Sequence, residues 1–141
     1  MIIGDIIPFA SVGDVKLGMA REEVRARVGG SIREATKGGA DVDQFLESNV
    51  LSYYNEEGEC ICLEFYVSEE QRAIYPAINN QVLLGRPYSV VLRAIEEADV
   101  NISLDSSGFT SQLFGIGVYI AGPEDDPLVD GVAVYSSEAL P

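Results

Sequence analysis

The sequence predicts an α+β fold, with a short amphipathic helix packed on an antiparallel sheet and that unit built twice. Three observations carry this expectation. Stretches such as Glu59–Val67 alternate as half-buried strands do. Asn55-Glu56-Glu57-Gly58 and Pro123-Glu124-Asp125-Asp126-Pro127 supply turn chemistry between such stretches. The segment VKLGMAREEV (Val15–Val24) returns 67 residues later as VLLGRPYSVV (Val82–Val91), keeping the first Val, the Leu-Gly pair and the last Val.

The elements follow in order. A short strand lies within Ile2–Phe9 or Ser11–Val15, ended by Pro8 or by Gly13-Asp14. Ala20, Val24 and Val28 recur at helical spacing, and charged residues fill the other face, so Ala20–Val28 is a helix. Glu22 and Glu23 suit its first turn, where the helix dipole favours anions, and Gly29-Gly30 stops it. Ser31–Asp43 is polar and contains glycine, which reads as a loop. VLSYY (Val50–Tyr54) and Glu59–Val67 form a hairpin. In the second strand Ile61, Leu63, Phe65 and Val67 share one face, and Cys60, Cys62, Glu64 and Tyr66 the other.

The second half repeats the plan. Pro87 opens a helix with the apolar stripe Tyr88, Val91, Leu92 and Ile95, ending near Asp99. Gly108–Gly122 gives a strand, the Pro123–Pro127 run a turn, and Leu128–Ser136 the partner strand. Gly115-Ile116-Gly117 reads as a bulge or a point of close packing. Aligning Gly18 with Gly85 gives pseudo-repeats at about 11–67 and 78–136 within one domain, 1–141. Each repeat has a strand ending in tyrosine (Tyr54, Tyr119) before its acidic turn. The Leu-Gly pair is a structural device: Leu packs beneath the sheet and Gly permits a tight entry into the helix. At this length roughly 68% of the unfolded surface can be buried, so no covalent staple is required.

The formal net charge is −14, from 23 acids, 9 bases and no histidine. No Lys or Arg occurs between Gly38 and Gln71 or between Ala94 and Pro141, and each tract holds nine acids. Such a surface repels phosphate backbones and argues against nucleic-acid binding. It attracts a basic protein and speeds the encounter. No stretch approaches the roughly 20 apolar residues of a membrane span, and no basic segment precedes the apolar start, so a cytoplasmic protein is expected.

The chemistry of catalysis is thinly represented. Without histidine, Ser-His-Asp and Cys-His arrangements are excluded, and no phosphate-binding glycine loop is present. Cys60 and Cys62 lack the further ligands a metal site needs and read as small core thiols. The acidic stretches do not match calcium-loop spacing. No cofactor, metal or catalytic residue is therefore assigned, and the chain is expected not to be an enzyme. What remains is a binding surface. Glu56, Glu57 and Glu59 in one turn, and Glu124, Asp125, Asp126 and nearby Asp130 around the other, occupy equivalent places in the two halves. With Tyr53 and Tyr119 they suit an interface, tyrosine giving contact area and carboxylate giving steering.

Val15–Gly29 resembles an element at helix entrances in small tandem α/β domains of the β-lactamase-inhibitor-protein and outer-membrane-assembly-lipoprotein type, and Val82–Val91 is its weaker echo. The wider pattern, from Leu51–Tyr66 through the second Leu-Gly to Gly115–Tyr119, is similar to small bacterial toxin-immunity proteins. These motifs are structural, so the resemblance carries over no functional residue. What it implies is an immunity protein whose acidic surface neutralises a basic toxin such as a nuclease; the chain itself is expected to be a monomer or a homodimer. A small-molecule or carbohydrate module, a carboxylate-based enzyme and a homodimeric scaffold paired through a sheet edge are the alternatives.

Overall fold

The computed structural model describes residues 1–122 and 125–141. The chain opens with β1 (Ile2–Ile7), β2 (Ser11–Val12) and β3 (Val15–Lys16), followed by α1 (Arg21–Val28). Four strands come next: β4 (Ile32–Lys37), β5 (Ala40–Phe45), β6 (Val50–Tyr54) and β7 (Cys60–Tyr66). The rest comprises β8 (Ile74–Ile78), β9 (Gln81–Val82) and α2 (Tyr88–Glu96). Four more strands complete it: β10 (Ile102–Asp105), β11 (Gly108–Ser111), β12 (Ile116–Ile120) and β13 (Val129–Tyr135).

This is an α+β architecture with two sheets. The larger is antiparallel throughout, in the order β10-β11-β12-β13-β7-β6-β5-β4. The smaller runs β3-β2-β1-β8-β9, and in it β1 and β8 pair in parallel. One contiguous core joins Val24 and Val28 of α1, Val91 and Ile95 of α2, Val12 of the small sheet, and Phe45, Leu63, Phe65, Val118 and Val132 of the large sheet. Both helices and the small sheet thus meet one side of the large sheet, here called its inner face.

The helix entrances are built alike. Gly18 and Gly85 have positive φ, +91° and +77°, and a Cβ on either would meet nothing within 4 Å. The glycine is required by backbone conformation, not by crowding. Gly18 N–H donates to the carbonyl of Cys60, and Gly85 N–H to that of Val129. Arg21 N–H donates to Gly58, and Tyr88 N–H to Pro127. The repeated Leu-Gly therefore ties each helix entrance to the first residues of the strand that closes its four-strand run.

Several expectations need correction. Ser31–Asp43 is not a loop: β4 and β5 form a hairpin turning on Gly38-Gly39, both at positive φ, the conformation a two-residue turn demands. Gly108–Gly122 holds two strands, not one, and β8, β9 and β10 carry no sequence expectation. Cys60 and Cys62 do not share a face. Tyr53 pairs with Cys62 but Tyr54 with Cys60, which leaves Ile61 as a bulged extra residue. Cys60 accordingly joins the inner core with Leu63 and Phe65, and Cys62 turns outward. β12 and β13 have the same irregularity, with Tyr119 opposite Gly131, Ile120 opposite Val129, and Asp130 the extra residue. The outward tyrosine matching Tyr119 is therefore Tyr53, because Tyr54 is buried inside. Val67 lies just beyond β7 and is exposed, unlike Leu63 and Phe65, with which alternation groups it on one face.

Candidate functional site

The outer face of the large sheet gathers a second, smaller cluster. Cys62, Ala133 and Tyr135 are buried there, with Tyr53, Tyr119, Ala139 and Leu140 packed against them. Strand alternation places Glu64 and Tyr66 on the same face, between the inward residues Leu63 and Phe65. Strand glycines give the rings room. A Cβ on Gly117 would lie 2.6 Å from the Tyr119 hydroxyl and 3.1 Å from that of Tyr135, and one on Gly131 would lie 3.2 Å from the Tyr66 ring. Close packing, not a bulge, thus explains Gly117.

Polar atoms converge at the centre of this face. The Tyr66 hydroxyl donates to Glu64 Oε2 at 2.8 Å, and the Tyr119 and Tyr135 hydroxyls bond to each other. Burial, and then the neighbouring Glu64 carboxylate, pushes the Tyr53 and Tyr66 phenols well above their ordinary range. Burial raises Tyr119 and Tyr135 as well. All four stay protonated at neutral pH, Tyr66 donating to Glu64 and one of the Tyr119–Tyr135 pair donating to the other. Burial, reinforced by the charge of Glu64, pushes the Cys62 thiol up, which removes it as a nucleophile. A depression of about 300 Å³ opens here, lined by Tyr53, Ile61, Cys62, Glu64, Tyr119 and Tyr135, with Ala139 at its side.

The acidic turns lie at opposite ends of this face. β7 and β13 are antiparallel, with Gly131 opposite Tyr66 and Tyr135 opposite Cys62, so the two hairpin turns point in opposite directions. About 20 Å of strand separates them. In the first turn the Asn55 side-chain oxygen accepts from the Glu57 and Glu59 N–H groups, holding Glu56, Glu57 and Glu59 exposed. A groove of about 540 Å³ beside it is lined by Asp41, Glu56, Glu57 and Glu138 among others, with no cation. In the second turn Asp125 is exposed, but Asp126 accepts from the N–H and hydroxyl of Ser89 and so caps the first turn of α2. Asp130 is exposed at its bulge. Glu124 lies outside the described residues. Of the predicted residues, Tyr53 and Tyr119 come together, and the acids form two rims on either side of them.

Glu64, Tyr66 and Tyr135 carry no sequence expectation as site residues, although alternation along β7 and β13 could have placed them beside Tyr53 and Tyr119. A further cluster was also missed. Asp43 of β5 is fully buried and accepts from Arg21 at 2.7 Å, from Arg25 at 2.8 Å on each oxygen, and from the Tyr54 hydroxyl at 2.9 Å. Burial alone would raise this carboxyl, but the hydrogen bonds from Arg25, Arg21 and Tyr54 outweigh it and hold it well below the usual carboxylate range. With every partner internal, Asp43 locks α1 to the sheet. In α2 the place of Arg21 is taken by Tyr88, whose ring meets Phe109 at 5.9 Å.

Charge is sorted by layer. Only β4, at one edge of the large sheet, carries Lys or Arg, and the other seven strands carry none. Among the described residues no group of three or more His, Cys, Asp or Glu side chains is placed to hold a metal, and no helix is long and apolar enough to cross a membrane. Comparison with known proteins finds no matching family model, no matching curated sequence and no matching solved structure.

Proposed function

We propose that this chain is a non-enzymatic binding protein that docks a basic protein on the outer face of its large sheet, and that it acts as an immunity protein covering a cognate toxin. The observation that carries the reading is the composition of that face: a tyrosine cluster around Glu64, with an acidic rim at each end and no Lys or Arg on seven strands. Tyrosine supplies contact area at low entropic cost, and carboxylates steer a cationic partner and fix its register. Blockade is steric and electrostatic, with Glu56, Glu57 and Asp125 reaching the cations that would otherwise hold substrate phosphate.

The same proposal extends to the architecture, in which a helix entrance followed by four antiparallel strands is one unit used twice. Its support is local and repeated. The entrance bonds recur, Gly18 to Cys60 and Gly85 to Val129, and the bulges fall at Ile61 and Asp130. Duplication would place Tyr53 with Tyr119 and Tyr66 with Tyr135 in matching positions, making the face itself a repeated feature.

The test is co-expression with the basic product of a neighbouring reading frame, followed by capture at low and high salt. Wild-type protein should retain that product, and Glu56→Lys with Glu57→Lys and Glu138→Lys should weaken the complex at least tenfold, most strongly at low salt. Capture that survives these reversals unchanged refutes the role of the acidic rim. Asp126 is left intact because it caps α2.

A further inference from the structure

We infer that the depression at Glu64 is a receptor for a guanidinium group, filled by an arginine side chain of the basic partner. The inference rests on the docking reading above and names the chemistry at its centre. Glu64 is the one carboxylate lining this depression, and among the described residues no Lys or Arg forms an ion pair with it. An ionised carboxylate offers about four acceptor sites, and the Tyr66 hydroxyl occupies one of them. The unmet charge calls for a cation.

The walls select the kind of cation. Tyr53, Tyr119 and Tyr135 line the depression with the carboxylate, and the face of an aromatic ring attracts a cation. A guanidinium is planar, stacks on such rings, binds carboxylate through two parallel N–H groups and gives up its hydration more readily than an ammonium. The bonded Tyr119–Tyr135 hydroxyl pair keeps oxygen lone pairs free to accept its remaining N–H groups. The floor is rigid, since Cys62 belongs to a strand paired on both sides and the Tyr119 and Tyr135 hydroxyls are seated over Gly117. An anion is rejected by Glu64 and the acidic rims.

The experiment is an NMR titration of protein carrying labelled tyrosine rings with N-acetyl-arginine amide, its neutral citrulline counterpart and an oligolysine peptide. The arginine probe should move the Tyr53, Tyr66, Tyr119 and Tyr135 ring signals, citrulline should not, and Glu64→Gln should weaken arginine binding at least tenfold. Equal responses to arginine and citrulline overturn the inference, and so does unchanged affinity in the Glu64→Gln protein. The citrulline comparison uses wild-type protein and so does not depend on how the variant folds. Oligolysine bound at the acidic rim while arginine leaves the ring signals unmoved overturns the guanidinium receptor alone. If neither cationic probe touches the outer face, the docking reading falls with it.

Discussion

Asp43→Asn tests how α1 is held to the large sheet. The carboxylate has no exposed surface, while the Arg21 and Arg25 side chains that clasp it are 26% and 29% exposed. Asparagine keeps a carbonyl for Tyr54 but turns an amide donor toward guanidinium and removes the charge. A charge-assisted hydrogen bond contributes about 1.5–3 kcal/mol net, and breaking a buried ion pair from one side costs about 3–5 kcal/mol. Because both arginines can turn to water, the low end applies, about 3 kcal/mol. With a urea m-value of about 2 kcal/mol/M, the unfolding midpoint should fall by about 1.5 M. Urea unfolding followed by far-UV circular dichroism measures this, with Glu34→Gln as the control. Glu34 is 67% exposed and, among the described residues, its side chain forms an ion pair with Arg25 alone, so its loss should cost under about 0.5 kcal/mol. The pH dependence has a definite sign. The folded carboxyl binds its proton less tightly than the unfolded one, so the unfolded chain takes up more protons in acid. The contribution of Asp43 is complete above the unfolded pKa of about 4 and is lost as pH falls through the lower folded value. Asp43→Asn should remove that part of the acid limb. A midpoint shift no larger than the Glu34→Gln control would refute this account of the cluster.

Glycine substitutions separate backbone strain from collision. Gly18→Ala and Gly85→Ala should each cost about 1–2 kcal/mol from positive φ alone, whereas at Gly108 a Cβ would also fall 1.8 Å from the Val118 carbonyl oxygen and should cost roughly 3 kcal/mol or more. Thermal unfolding ranks the three, and a Gly108→Ala protein as stable as the other two would contradict the geometry. Gly117→Ala should cost under about 2 kcal/mol of stability yet displace the Tyr119 and Tyr135 hydroxyls, changing near-UV circular dichroism. An unaltered tyrosine spectrum would mean that those rings do not lie over Gly117.

The helices and the hairpin of β6 and β7 were legible because each has a clear period and a strong turn or stop signal. β4 was not, because it is an edge strand exposed along nearly its whole length, so its sequence shows no buried face. β8 contains Pro76, a residue that ordinarily argues against a strand, and its partner β1 lies some 72 residues earlier. The bulges at Ile61 and Asp130 defeated simple alternation: one extra residue exchanges the faces of everything before it, which moved Cys60 inward and left Cys62 outside. Asp43 and its arginines lie 18 and 22 residues apart, a pairing set by how the helix crosses the sheet and by no local pattern. The tyrosine face was half legible. Tyr53 and Tyr119 were found as sequence aromatics, but that Glu64 stands among them is a property of the assembled sheet.

The seam between β7 and β13 has a kinetic consequence. Within each four-strand run, neighbours join through short turns and can pair soon after collapse. The seam instead joins Tyr66 to Gly131 and Cys62 to Tyr135, and β1 must find β8 across a similar span. These closures are non-local, and their loop entropy is spent before any contact rewards it. Folding should be limited by the meeting of two preformed meanders, at a rate typical of sheet-rich domains. Two chains that meet in that interval can each supply the half the other lacks, so exchange of halves between molecules is the characteristic misassembly of this topology.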